Sequence, residues 1–378
     1  MKAVAVAAVT ITVGGGAGYA EPPNFQGLGD LTGGAFSSQA TGVSGNGSVV
    51  VGDSITSDGY GHAFRWTAAT QMVDLGMLSG GIKGSVAYGV SFDGSVIVGR
   101  SSSGQADRNA FLWTQAHGMQ DLGDLPSTGD DSEASAVSHD GTVVVGQSLS
   151  GTGQEVFRWT TGGGMVGLGT NSSNGEGVSA DGLQVAGIVH GPHEAAQWTQ
   201  GTGWVRLGIL PGGNQSWAQG ISSDGSAIVG MSESAFGTQA FRWTESTGLV
   251  GLGAFSGGAY SSVALNASGD GSVVVGYGTT AAGERAFIWD APNGMRDLRD
   301  VLVSDCGLDM AGWTLTEAWD VSDNGLVVVG YGTNPSGQTE AWRAVLPEPG
   351  SCVLLLLGGA ALLRRRSSSW RVTPRAAN

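Results

Sequence analysis

Few residues in this chain have types and spacing suited to chemistry. The best grouped are His190, His193 and Glu194, in "HGPHEAAQWT". A His-x-x-His-Glu set could hold a metal if a turn gathered it. No third or fourth ligand accompanies it, and Gly191-Pro192 reads as a solvated loop, so it is a weak metal candidate. A second set is the acids before glycine, Asp93, Asp140, Asp181, Asp224 and Asp270. A calcium loop alternates several carboxylates at every second position. These stand alone, and Asn46 replaces one of them. They read as turn formers, because Asp and Asn side chains bond the backbone two residues on. "GGGMVG" at 162–167 satisfies Gly-x-Gly-x-x-Gly in form, but no helix follows to receive a phosphate. No Gly-x-Ser-x-Gly elbow and no evident Ser-His-Asp set stand out from the repeats, so no catalytic residue and no cofactor is assigned.

The elements that must carry these residues repeat seven times. "SFDGSVIVG" at 91 recurs as "SGNGSVVVG" at 44, "SHDGTVVVG" at 138, "SADGLQVAG" at 179, "SSDGSAIVG" at 222, "SGDGSVVVG" at 268 and "SDNGLVVVG" at 322. Each is followed by a copy of "HAFRWT", and the tryptophans at 66, 113, 159, 198, 243 and 289 are 47, 46, 39, 45 and 46 residues apart. A third motif centres on Leu28, Leu75, Leu122, Leu168, Leu207, Leu252 and Leu298. Each unit therefore reads as four short strands. Asp-Gly or Asn-Gly makes a two-residue hairpin after the first, and the apolar Val-Val-Val run is buried on both faces. Ala-Phe-x-Trp puts Phe and Trp on one face, and the leucine segment is the fourth strand.

Four strands in about 45 residues is the arithmetic of a propeller blade. The chain opens on a lone fourth-type strand, "FQGLGDL" at 25–31, and ends its repeats at "AWRAVL" with no fourth strand after it. Seven blades become complete only if the first segment pairs with the last unit, which removes free edges. The expectation is an all-β, seven-bladed β-propeller over 21–346, closed by its N-terminal strand. A β-solenoid is the alternative. The insertion at 298–315 is expected to form a turn or two of helix. Trp217, Tyr260, Trp313 and Trp319 fall outside the Phe-x-Trp motif; they read first as structural, with stacking on sugars as the alternative for some.

Composition agrees with many strands and turns. The chain has 68 glycines among 378 residues, 40 % apolar residues and 13 % charged. Of its two cysteines, Cys306 and Cys352, neither suggests a disulfide framework. Between 21 and 346 there are 11 basic and 31 acidic residues, a net charge near −20. Such a surface repels phosphate backbones, which argues against a nucleic-acid partner.

Both termini read as addresses. Lys2, an apolar stretch to Val13 and small residues ending "GYA" make a secretory signal over 1–20, cut between Ala20 and Glu21. At the other end, Ser351 to Leu363 is a run of 13 apolar or small residues. A bilayer-spanning helix needs about 20.

The recurring "HAFRWT", "AFLWT" and "AFIWD", each preceded by an Asp-Gly-Ser-Val-Val-Val-Gly-like run, resemble the extracellular HAF-repeat family of bacteria. The likeness covers 25–346. The tail, with Pro347, Glu348 and Pro349 before the apolar run and Arg364, Arg365 and Arg366 after it, is similar to a PEP-CTERM sorting signal over 347–366, leaving 367–378 as a cytoplasmic tail. That likeness implies an exosortase-type membrane enzyme as partner, transient membrane contact, and delivery to the envelope or the exterior. Three functions are then expected in order: a non-enzymatic scaffold that binds a glycan or a protein, a polysaccharide lyase or hydrolase, and a passive matrix component.

Overall fold

The computed structural model describes residues 21–348, apart from 105–107, 128, 170, 171 and 192. Seven four-stranded antiparallel sheets make a seven-bladed propeller. Six blades are continuous in sequence, spanning 33–74, 85–121, 132–167, 172–206, 216–253 and 262–297. The seventh combines Thr314–Val321, Val327–Thr333 and Thr339–Val345 with the N-terminal strand Asn24–Gly27. That strand pairs antiparallel with the last one, Asn24 opposite Val345 and Gly27 opposite Trp342. Phe25 packs edge-on against Trp313, ring centroids 5.0 Å apart, and Glu21 pairs with Arg343 at 2.7 Å. The expected ring closure is present. The insertion supplies the helix Leu298–Ser304, capped by Asp297, whose carboxylate accepts from the backbone N–H of Arg299 and Asp300.

The second strand of each blade is buried because blades pack face to face. Val50, Val51, Ile97, Val98, Val144 and Val145 are fully buried. Ala63 and Phe64 point to opposite faces of blade 1, so that Phe64 and Trp66 join one inter-blade core and Ala63 the next. The motif thus reads as a small residue on one face and a large pair on the other.

Neighbouring blades are also stapled by serine. The hydroxyl of Ser85, at the start of blade 2, accepts from the Ala63 N–H at 2.9 Å and donates to the Gly76 carbonyl at 2.6 Å. Ser38, Ser132, Ser216 and Ser262 do the same at their own junctions. Each staple ties the serine that opens one blade to the Ala of the Ala-Phe-x-Trp strand and to the Leu-Gly segment of the blade before it. This explains why all three motifs recur together.

In the Ser-x-Asp-Gly turns, the carboxylate of Asp93 accepts from the Ser91 hydroxyl and the Ser95 N–H. Gly94 follows at φ 75°. Asp140, Asp181, Asp224 and Asp270 repeat this pattern, and Asn46 and Asn324 substitute for it. The turn reading of these acids is the observed one.

Candidate axial cavity

The first strands of the blades surround the axis. Aligned on the serine that opens the turn, they share the pattern Ser-x-Ala-x-Gly-Val/Ile-Ser, as in 38–44, 85–91 and 216–222. The fourth position of this pattern is Thr41, Tyr88, Ser135, Glu176, Gln219, Leu265 and Trp319. All seven line one cavity of about 380 Å³ on the axis. No residue type occurs twice among them, although the third position is Ala in six copies and the seventh is Ser in all.

The fifth position is where strands crowd the axis. A Cβ on Gly42 would lie 2.6 Å from the Tyr88 carbonyl oxygen, and one on Gly220 2.7 Å from that of Leu265. Close approach therefore favours glycine there, in blades 1, 2, 4 and 5. Blade 3 carries Ala136 instead, and blades 6 and 7 carry Asn266 and Asp320. One Asp320 oxygen accepts from the Asn266 amide at 2.6 Å and the Val321 N–H at 2.8 Å; the other accepts from the Val43 N–H at 2.8 Å. Blades 6, 7 and 1 thus meet on one carboxylate. Burial raises it from 3.8 to about 7, against the pull of those hydrogen bonds.

At one end of the cavity the hairpin turns form a ring of backbone hydrogen bonds, passing from Asn46 to Phe92, His139, Ala180 and Ser223, then from Asp224 to Gly269, Asp323 and back to Gly45. Inside it, the His139 Nε2 lies 3.0 Å from Ser223 Oγ and 3.0 Å from Asp323 Oδ2, while Ser223 Oγ donates to Asp323 Oδ1 at 2.8 Å. Phe92 stacks against His139. Burial works to raise Asp323, but the bonds from His139 and Ser223 leave it below the usual carboxylate range. A serine, a histidine and an aspartate have met, yet not as a hydrolytic triad. In a triad the acid holds Nδ1 so that Nε2 is free for the serine; here acid and serine share Nε2. The group bridges blades 3, 5 and 7 across that mouth.

Toward the other end, Glu133 is held by Arg100 and Arg108, each at 3.0 Å, and Arg100 lies 5.8 Å from the Tyr88 ring centroid. Glu176 differs. Burial raises it from 4.5 to about 7, with Asn174 as its hydrogen-bond partner and the negative Glu133 adding to the effect. Among the described residues no cationic side chain offsets it.

His190 and His193 do approach, with ring centroids 5.0 Å apart. Glu194 does not join them. One of its oxygens accepts from Gly208 N–H and the other pairs with Arg206 at 2.9 Å. The equivalent carboxylates Glu155 and Glu340 bond Gly169 and Gly29 likewise. Glu194 is thus part of the repeat, and among the described residues no three His, Cys, Asp or Glu side chains gather as metal ligands. Of the extra aromatics, only Trp319 reaches the cavity. Trp313 packs on Phe25, Trp217 lies against His193, and Tyr260 sits beside Phe236.

The cavity and the 139–223–323 bridge escaped sequence reading. Their members lie 84 and 100 residues apart, at the x of a turn motif where only the flanking Ser and Asp carry pattern. Alignment of the seven inner strands would have exposed the variable fourth position. Ala20 and Arg364, Arg365 and Arg366 lie outside the described residues, as does Pro349; Glu21, Pro347 and Glu348 lie within them. No helix among the described residues is long and apolar enough to cross a membrane.

No protein-family model matches the chain, and no curated protein matches it. Solved structures do. A puromycin hydrolase matches with a TM-score of 0.52 at 13 % identity, over 85 % of this chain and 54 % of that one. TolB from Acinetobacter baumannii matches with a TM-score of 0.46 at 14 % identity, over 87 % of this chain and 81 % of TolB. At such identities the likeness to the hydrolase shows the propeller fold alone.

Proposed function

We propose that this chain is a secreted bacterial surface or matrix protein, a non-enzymatic propeller that binds a glycan in its axial cavity. The leader over 1–20 exports it, and the tail over 347–366 hands it to an exosortase-type enzyme at the membrane. The observation that carries the binding role is the fourth position of the inner strands. The fold fixes the alanine before it in six copies and the serine three residues on in all seven, and leaves this one unlike in every blade. Positions that a scaffold does not constrain are where binding develops. The cavity has the size of a small-ligand site, and its aromatic rings, amide, hydroxyls and carboxylates are the groups that hold a sugar. A protein partner would instead have to use the outer loops.

The shared Nε2 in the His139 group favours binding over hydrolysis. A glycan array probed with the full chain, followed by turnover assays on each hit, tests the proposal. Binding without product is expected. Released product would make the protein an enzyme, and silence on the array would leave a passive matrix component.

A further inference from the structure

We infer that the axial cavity selects a glycan bearing a free amino group, with Glu176 as the counter-charge. This deepens the glycan reading and rests on it. The carboxylates around the cavity are not alike. Glu133 is neutralised by Arg100 and Arg108. Asp323 is bonded by His139 and Ser223, and Asp320 accepts three hydrogen bonds. Among the described residues neither Asp320 nor Glu176 pairs with a cation, but Asp320 is held by its three donors while Glu176 has Asn174, and its proximity to Glu133 makes its surroundings more negative still.

A ligand filling the cavity displaces the water that solvates this group. A neutral sugar would leave a desolvated carboxylate with only hydroxyl donors, and an anionic one would add repulsion. An ammonium supplies the missing charge and strong hydrogen bonds at once. The flanking fourth positions, Ser135 and Gln219, belong to the blades on either side of Glu176 and offer hydroxyl and amide groups. Tyr88 and Trp319, from blades 2 and 7, supply aromatic surface of the kind that stacks on a pyranose and attracts a cation. The net charge near −20 between 21 and 346 draws cationic ligands to the protein.

The test is calorimetric titration of the full chain at neutral pH with three matched oligomers: a glucosamine trimer, an N-acetylglucosamine trimer and a glucose trimer. The amino trimer is expected to bind at least about tenfold more tightly than either other. Glu176→Gln keeps shape and hydrogen-bonding capacity. It is expected to remove that preference, weakening the amino trimer while the two uncharged trimers bind at least as tightly as to wild type, since no carboxylate is left to desolvate. If the variant fails to fold, the ranking by the wild-type protein stands as the test. Equal affinity for all three oligomers would overturn the inference while sparing the glycan reading. A wild-type chain that binds none of them, and nothing on a glycan array, would overturn both.

Discussion

The serine staples set a measurable share of propeller stability, and Ser85→Ala isolates one. Ser85 is 3 % exposed and makes two hydrogen bonds across the boundary of blades 1 and 2. Alanine at this position leaves the Ala63 N–H and the Gly76 carbonyl in place with no partner. The lost packing is a single oxygen, so the cost comes from two stranded polar groups. A buried unsatisfied group costs about 1–3 kcal/mol, and the pair is expected to cost about 2–4 kcal/mol after local relaxation. That is a large fraction of the roughly 5–15 kcal/mol that holds a typical domain together. Urea titration followed by tryptophan fluorescence should show a lower midpoint at an unchanged slope, which marks a change in stability rather than in compactness. Ser246→Ala, on an exposed turn, serves as the control and is expected to stay within about 0.5 kcal/mol of wild type. A Ser85→Ala loss no larger than this control, repeated at Ser132 and Ser262, would refute the staple as a stabilising device.

Further outcomes follow from the closure, the buried acids and the tail. Removing residues 21–31 deletes the closing strand and the Glu21–Arg343 pair, and should lower stability by several kcal/mol by exposing an edge on blade 7; denaturant midpoints of the truncated and full chains report it. Glu176 and Asp320 are both raised to about 7 in the fold. The folded state therefore holds more protons than the unfolded one between about pH 4 and 7, and stability falls as pH rises through that window. His62, flanked by Asp74 and Asp58, is raised despite the opposing effect of its burial, so its contribution too is full below about pH 6.5 and lost as pH rises through its folded value. Glu176→Gln should flatten the decline and be more stable than wild type at pH 8, by on the order of 1–3 kcal/mol because cavity water screens the charge; midpoints at pH 5 and 8 check the sign. Mass spectrometry of envelope and secreted fractions should find the chain ending near residue 350, and alanines at Pro347, Glu348 and Pro349 should trap a longer, membrane-associated form. Recovery of an intact Asn378 would count against the sorting reading.

The repeat made the blades legible because strand, turn and inter-blade contact each impose a residue type seven times. Asp93 and its equivalents recur because each turn needs an acceptor beside a glycine at positive φ. The N-terminal strand was readable from the unequal count of fourth strands alone, and Asn24–Gly27 lies where that count requires it. The helix Leu298–Ser304 was visible as a departure from the period. The cavity was hidden for the converse reason. Tyr88, Glu176 and Trp319 obey no repeat, and only the ring brings blades 2, 4 and 7 to one axis. His190, His193 and Glu194 are the opposite case. Adjacent in sequence, they offered at most a weak metal candidate beside the reading as a solvated loop, and the structure commits Glu194 to Gly208 and Arg206.

Whether the axis holds a ligand is decided by titrating one array-selected glycan into the wild-type chain, Tyr88→Ala and Trp319→Ala, with Phe236→Ala as a comparison on an exposed outer turn where that ring is 77 % accessible. One site per chain is expected, with affinity reduced at least about tenfold in both cavity variants, an unchanged thermal midpoint, and no effect at Phe236. Affinity that survives both cavity substitutions but is lost in Phe236→Ala would place the ligand on the outer loops and contradict an axial binding site.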